Sequence, residues 1–151
     1  MRHGQAVAQA ESDAQRALTP AGEAQVRAMG DQLQAQPLNA ILASPYVRAQ
    51  QTATLVREQI GFAQSVGTAA WLTPDDQPGD VIGFLSERSE SELLLVSHQP
   101  LVSQLISLLV HGHRGEHYPM PTAALACIDM DFVAAGLGEL VKLTVPADLS
   151  R

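Results

Sequence analysis

Residues 40–61 read AILASPYVRAQQTATLVREQIG and set a pattern that the rest of the chain follows. The first four residues are apolar and too few to form a helix, so they predict a short buried strand. From Tyr46 onward, apolar residues recur at helical spacing until Gly61, which favours the end of a helix. The segment therefore predicts a strand that leads into a helix, with Arg48 in the first turn of that helix.

The remaining sequence repeats this alternation. Helical spacing predicts further helices from Pro20 to Pro37, over 80–87 and over 100–110, and apolar runs predict strands over 65–72, 93–96, 123–130 and 139–145. The last two strands flank a glycine-containing turn and predict a C-terminal hairpin. Because helical crossovers join parallel strands with one hand, we expect an α/β fold, a three-layer α/β/α sandwich with a mostly parallel sheet. Residues 1–151 are expected to form one domain.

Composition and charge argue against several classes of protein. The chain is 46% hydrophobic, which suits a packed core, and no apolar stretch approaches the ~20 residues that cross a membrane. The formal net charge of -7 argues against nucleic acid, whose phosphates are bound by basic surfaces. The single cysteine, Cys127, fits a reducing compartment, and its apolar neighbours predict a buried strand position. We therefore expect a cytoplasmic protein that binds neither nucleic acid nor membrane.

Cationic side chains lie in three segments where strand-like sequence gives way to a helix or a loop. Arg2 and His3 lie in the first segment, Arg48 in the second and His98 in the third. Ligands of open α/β sheets bind beyond the carboxyl ends of the strands, so these residues are expected to meet in one crevice. Two guanidiniums and two imidazoles there would form a pocket for a phosphoryl group.

The residue types suit phosphoryl transfer. This chemistry needs positive charge around the phosphoryl oxygens, which the arginine forks of Arg2 and Arg48 can supply. A neutral imidazole can act as a covalent nucleophile when a hydrogen bond to its other nitrogen fixes the tautomer. His98 lies at a predicted helix entrance, where free N–H groups favour an anion. Ordinary interpretations exist as well, with Arg48 a solvated helix residue and residues 2–3 a frayed terminus.

Three segments in a fixed order carry a family resemblance. They are Arg2-His3-Gly4, residues 44–53 (SPYVRAQQTA) and Ser97-His98-Gln99-Pro100, with Leu18-Thr19-Pro20-Ala21-Gly22 between the first two. With this combination the chain resembles the histidine phosphatase superfamily, whose fold is phosphoglycerate mutase-like. The compact length and the run from Ser97 to Val102 are most similar to the phosphohistidine phosphatases of that superfamily.

The resemblance implies a role for each candidate residue. His3 would be the nucleophile, and His98 a charged or hydrogen-bonding partner that stabilises the transferring group. Arg2 and Arg48 would hold the phosphoryl oxygens. Neither a metal nor a cofactor is implied. Substrate-binding positions are expected at Gly4, Gln5, Ser44 and Gln99.

The resemblance also implies a reaction, which is hydrolysis through a covalent phosphohistidine on His3. The expected partner is a phosphohistidine-bearing phosphorelay or phosphotransfer protein. The stretch between Gly61 and Ser97 is too short for the helical lid of larger relatives, and an open site suits a phosphate on a protein surface. The alternatives are a small-molecule phosphomonoesterase of the same superfamily and a non-catalytic phospho-binding module.

Many members of the family use a carboxylate from the lid region as a proton donor. Asp75 and the adjacent Asp76 are the nearest candidates by position, and both are equally well explained as turn-forming aspartates beside prolines. A missing acid matters less when an imidazole leaves than when an alkoxide leaves. The pattern therefore favours phosphohistidine as the substrate.

The beginning of the sequence departs from the family pattern. Members of the family have a buried strand before the Arg-His-Gly segment, whereas Arg2 follows only Met1 here. From the sequence we expect the first strand to be missing or truncated, and His3 to lie on an unanchored terminus.

Asp129 and Asp131 follow an apolar strand, as the nucleophile and the acid/base of haloacid dehalogenase-like phosphatases do. That fold needs several further strands that carry a lysine and metal-binding aspartates, and only a hairpin's length of chain remains. We therefore interpret both aspartates as part of the hairpin.

His111, His113 and His117 form a second cluster, which could hold a metal or dock a partner. The segment lacks the helical geometry of a strong zinc site, and no cysteine lies nearby. We interpret it as the end of the preceding helix followed by an exposed loop, in which His117 or Tyr118 could rim the pocket.

Overall fold

The computed structural model describes residues 1–149, in which helices and strands alternate as the sequence predicts. The elements are α1 (Pro20–Asp31), β1 (Ala40–Ala43), α2 (Val47–Ile60), β2 (Gly67–Thr68), α3 (Pro78–Ser86), β3 (Leu93–Val96), α4 (Leu101–His111), β4 (Leu125–Asp129), β5 (Glu139–Thr144) and α5 (Pro146–Leu149), with 3₁₀ turns at Asp13–Gln15 and Ala70–Leu72. The last two residues of the predicted domain, 150 and 151, lie outside this range. No helix within it is long and apolar enough to span a membrane.

The described strands form a parallel part of three strands and an antiparallel part of two strands, which are separate sheets. Strands β2, β1 and β3 pair in parallel, and β4 and β5 form the predicted hairpin. Residues 1–3 lie between the two parts, because the His3 N–H donates to the Ser97 carbonyl and the Arg2 N–H donates to the Ala124 carbonyl, each at 3.0 Å. The expectation of an unanchored terminus is therefore wrong: backbone hydrogen bonds fix this segment on both sides.

Helices cover both faces of the parallel strands. Because side chains alternate along a strand, Ile41 and Ala43 pack against α1 and α2, whereas Leu42 packs against α3 and α4. Met29 and Val56 are fully buried in the first of these interfaces. This arrangement confirms the three-layer α/β/α sandwich. Only β2, a 3₁₀ turn and α3 separate α2 from β3, so the described chain has no lid subdomain there.

Element boundaries differ from the prediction in the connecting segments. The first helix ends at Asp31 rather than near Pro37, because the following residues close tight turns such as Gln36 N–H to the Leu33 carbonyl. The strand predicted over 65–72 shortens to β2, since the chain turns into a 3₁₀ conformation immediately afterwards. Helix α3 begins at Pro78 instead of residue 80, because proline suits the first turn of a helix.

Cys127 is exposed, which corrects the prediction of a buried position. It lies on β4, where the first residue, Leu125, still packs on the core, whereas further along the hairpin only the face with Ile128 and Leu143 is partly buried. Cys127 and Asp129 alternate with Ile128 along the strand and face away from that core. An apolar run can therefore end in a one-sided hairpin.

Candidate active site

Three candidate residues lie together at the carboxyl ends of the strands. His3 ends the segment of residues 1–3, which lies in space between β3 and β4. Arg48 lies in the first turn of α2, and His98 follows β3. The rings of His3 and His98 have centres 5.1 Å apart, and Arg48 Nε lies 3.3 Å from His3 Nε2. All three are buried, with exposed fractions of 6%, 4% and 1% for His3, Arg48 and His98.

Arg2 lies beside this cluster. Its Nη1 donates to the Met120 carbonyl at 2.9 Å, and its Nε is buried without a hydrogen-bond partner among the described residues. The Arg2 charge also helps to lower the pKa values of both His3 and His98. A buried guanidinium N–H without an acceptor is costly, so this group suits an anionic ligand.

Hydrogen bonds fix the tautomer of His3. A carbonyl oxygen can only accept, so the 2.7 Å contact to the Gly4 carbonyl places a proton on Nδ1. The lone pair is then on Nε2, where it accepts the Arg48 Nε–H. Burial, opposed by the Gly4 hydrogen bond and reinforced by the charges of Arg48 and Arg2, lowers the pKa of His3 to about 4. His3 is therefore neutral at pH 7, with a free electron pair on the nitrogen that faces Arg48.

His98 is neutral as well. Burial, followed by the proximity of His3 and Arg48, lowers its pKa to about 3. Its Nε2 lies 2.7 Å from Ser44 Oγ, and Tyr46 packs edge-on against its ring with centres 4.9 Å apart. Ser44 is fully buried and its hydroxyl contacts His98, and substrate binding at Ser44 remains a prediction.

Asp13 is a functional candidate that the sequence analysis missed. Its carbonyl oxygen accepts Arg48 Nη1 at 2.7 Å, and its Oδ2 accepts Arg48 Nη2 at 3.1 Å. Hydrogen bonding to Arg16 first, and to Arg48 as well, lowers the pKa of this carboxyl group. Asp13 lies in a polar segment without periodicity, where no sequence signal distinguishes it from an ordinary loop aspartate.

Gly4 and Thr52 hold the first segment against two helices. The Gly4 N–H donates to Thr52 Oγ1 at 3.0 Å, and Thr52 Oγ1 donates to the Arg48 carbonyl at 2.8 Å. A Cβ atom on Gly4 would lie 2.8 Å from the Gly22 carbonyl oxygen, so only glycine fits. Thr52 lies within the segment of residues 44–53 that carries the family resemblance, but its sequence context does not indicate this role.

The other predicted site residues have local partners. The Gln5 side chain accepts from Thr19 Oγ1 at 3.0 Å, and the Gln99 side chain accepts from the Ser103 N–H at 3.0 Å. Asp76 accepts from Thr73 in the turn before α3, which matches its turn-forming interpretation. Asp75 is exposed in the same turn. Substrate binding at Gln5 and Gln99 and proton donation by Asp75 remain predictions.

The two rival motifs lie outside this cluster. Asp129 pairs with Glu139 in the hairpin, and Asp131 is exposed just beyond it. His111 ends α4 and contacts Tyr118, and the following loop is exposed, as its interpretation requires. Within residues 1–149, no group of three or more His, Cys, Asp or Glu side chains could hold a metal ion.

Comparison with known proteins places this arrangement in a family. The family model described as "Histidine phosphatase superfamily (branch 1)" matches residues 1–71. A curated relative that is 34% identical covers 87% of the chain. The chain therefore belongs to the histidine phosphatase superfamily, which confirms the predicted resemblance.

The particular relatives share one name. The 34% identical protein is phosphohistidine phosphatase SixA of Escherichia coli (strain K12), 83% of which is matched. A SixA homolog of Haemophilus influenzae (strain ATCC 51907 / DSM 11121 / KW20 / Rd) is also 34% identical, over 83% of this chain and 84% of the relative. The solved structure of the protein histidine phosphatase SixA complexed with tungstate has a TM-score of 0.87 at 33% identity, covering 99% of this chain and 96% of that one.

Proposed function

We propose that this protein is a metal-independent phosphohistidine phosphatase with His3 as its nucleophile. The observation that carries the proposal is the state of His3, a buried neutral imidazole whose Nδ1–H is held by the Gly4 carbonyl. Its Nε2 carries an electron pair and lies 3.3 Å from Arg48 Nε, whose N–H can bind a phosphoryl oxygen. The similarity to SixA proteins supports the substrate class.

The reaction then proceeds in two displacements. In the first, His3 Nε2 attacks phosphorus and a bond forms between them, while the bond from phosphorus to the leaving imidazole nitrogen breaks. In the second, water attacks the phosphorus on His3, the bond to Nε2 breaks, and inorganic phosphate leaves. Arg2 and Arg48 bind the phosphoryl oxygens in both steps, and His98 stabilises the charge that develops on them.

The lack of a lid between α2 and β3 supports a protein as the substrate. The described chain has only a short strand, a 3₁₀ turn and one helix where a lid would lie, so a phosphohistidine on a protein surface could reach His3. We propose a phosphorelay or phosphotransfer protein as the partner. We further propose that the enzyme acts in the cytoplasm, where such proteins are found and where a lone thiol stays reduced.

A rapid-quench reaction tests the proposal. The protein is mixed in EDTA with a phosphohistidine-bearing phosphotransfer protein and, in parallel, with an aryl phosphate. We expect an acid-labile, base-stable phosphoenzyme and faster turnover of the phosphohistidine substrate. His3→Ala should abolish both signals, whereas His113→Ala changes an exposed loop histidine and should leave them unchanged.

The other outcomes would contradict the proposal in distinct ways. Faster turnover of the aryl phosphate would indicate a small-molecule phosphomonoesterase. Binding of the phosphoprotein without turnover would indicate a phospho-binding module. Turnover that survives in His3→Ala would refute the nucleophile.

A further inference from the structure

We infer that Ser44 is a positioning residue that fixes His98 as the Nδ1–H tautomer, so that a neutral His98 donates a hydrogen bond from Nδ1 to the phosphoryl group. The role in catalysis rests on the proposed function, whereas the tautomer is a property of the protein alone. The inference replaces the predicted substrate contact of Ser44 with a contact to His98.

The Ser44 side chain is fully buried. Its oxygen accepts the Tyr46 N–H at 3.2 Å and lies 2.7 Å from His98 Nε2. A serine hydroxyl carries a single proton, and buried donors are nearly always paired. Within residues 1–149, His98 Nε2 is the only recorded acceptor for that proton.

The two tautomers of His98 differ in the number of buried polar groups that they leave without a hydrogen-bond partner. If Ser44 donates to Nε2, His98 carries its proton on Nδ1, and that N–H is the one atom of the pair without a partner. If Nε2 carries the proton instead, both the Ser44 hydroxyl proton and the Nδ1 electron pair are left unpaired. Each unpaired buried polar group costs about 1–3 kcal/mol, so the Nδ1–H tautomer is favoured.

The remaining unpaired N–H has a use. His98 is 1% exposed, its ring centre lies 5.1 Å from that of His3, and its Nδ1 is buried without a partner among the described residues. A donor held in a buried site before the ligand arrives can stabilise developing negative charge without reorganisation. A neutral histidine in a cationic cluster also avoids repulsion from Arg2 and Arg48.

The anchor of Ser44 is rigid. Its N–H donates to the Val96 carbonyl at 3.0 Å, and its carbonyl accepts Gln50 Nε2 at 2.8 Å. The serine therefore connects the end of β1, the end of β3 and helix α2. Such a position allows the hydroxyl to hold one orientation towards His98.

The tautomer can be measured directly. In protein labelled with ¹⁵N-histidine, long-range ¹H–¹⁵N correlation spectra at neutral pH distinguish a protonated nitrogen from one that carries a lone pair. The His98 signals are assigned by their loss in His98→Asn. We expect a protonated Nδ1 and an unprotonated Nε2, and addition of inorganic phosphate should shift the Nδ1 signal most.

Variants then test the part played by Ser44. In Ser44→Ala we expect a mixture of His98 tautomers and a fall in kcat of roughly 10- to 100-fold, the range found when a metal-binding histidine loses the partner that orients it. Ser44→Thr restores the hydroxyl and should restore the Nδ1–H tautomer. Ser107→Ala removes an equally buried hydroxyl that donates to the His113 carbonyl, and it should change neither quantity.

Two results would overturn the inference. One is a wild-type His98 that carries its proton on Nε2, and the other is a tautomer that stays unchanged in Ser44→Ala. A wild-type protein with the Nδ1–H tautomer but no phosphatase activity would support the inference for Ser44 while refuting the proposed function.

Discussion

At the scale of single residues, the guanidinium N–H groups of Arg48 that would bind a phosphoryl group already donate to protein acceptors. Its Nε donates to His3, and its two terminal nitrogens donate to the carbonyl and the carboxylate of Asp13. The carbonyl has no net charge, whereas the carboxylate competes with an incoming anion for the same guanidinium. Asp13 thus both orients Arg48 and opposes the binding of phosphate.

Asp13→Asn should strengthen the binding of inorganic phosphate by about two- to fivefold, because solvent around the exposed Asp13 screens its pairing with the buried Arg48 and limits that pairing to ~1 kcal/mol. The amide retains an acceptor for Arg48 and loses the negative charge. Calorimetric titration of the free protein with phosphate measures the effect. Glu11→Gln removes the same charge from the same segment without a recorded Arg48 contact, and it should change the Kd less. Weaker binding in Asp13→Asn would mean that the carboxylate mainly positions Arg48.

At the scale of helices and strands, the sequence predicts the elements that end at the site better than the connections between them. The strand-end rule brings Arg48 and His98 together, because each follows a short apolar run, whereas His3 follows only Met1 and Arg2 and is assigned by the family resemblance. The role of Asp13 could not be predicted, since its contact spans 35 residues and depends on how the loop folds back. The predicted burial of Cys127 was wrong for a related reason, since the sequence does not show which part of a hairpin remains uncovered.

Two helix glycines differ in how much space surrounds them: Gly22 is closely packed, whereas Gly79 has room for a side chain. A Cβ on Gly22 in α1 would lie 2.1 Å from the Gln5 carbonyl oxygen, whereas a Cβ on Gly79 in α3 would meet nothing within 4 Å. Gly22→Ala should therefore destabilise the fold by about 1–3 kcal/mol and displace the segment that carries His3. Gly79→Ala should stabilise it by about 0.4–1 kcal/mol. Urea unfolding measures both changes, and equal effects of the two variants would contradict this account.

At the scale of the whole molecule, the two buried histidines should make the free energy of unfolding depend on pH. Their pKa values are lowered from 6.5 to about 4 in His3 and about 3 in His98. Below pH 6.5, these two histidines therefore bind protons in the unfolded chain while they are still neutral in the folded protein. The stability is fully present above pH 6.5, falls as the pH drops below it, and levels off below the folded pKa values.

His98→Asn should reduce this dependence on pH. Each histidine contributes a slope of up to about 1.4 kcal/mol per pH unit between its two pKa values, so the variant should lose stability less steeply from pH 6 to about pH 4. Urea unfolding over a series of pH values measures the slope. His117→Asn changes an exposed histidine and should leave the slope as in the wild type. A variant slope equal to that of the wild type would contradict the burial of a neutral His98.

The placement of residues 1–3 between β3 and β4 has a consequence for how the protein is made. Its backbone partners Ser97 and Ala124 lie about a hundred residues further along the chain. The bond to Ser97 cannot form until residue 97 has emerged from the ribosome, nor the bond to Ala124 until residue 124 has emerged, and closing such long loops is slow. His3 is thus synthesised about a hundred residues before the backbone groups that hold its segment, so the cluster around it is complete only after residue 124 has been made.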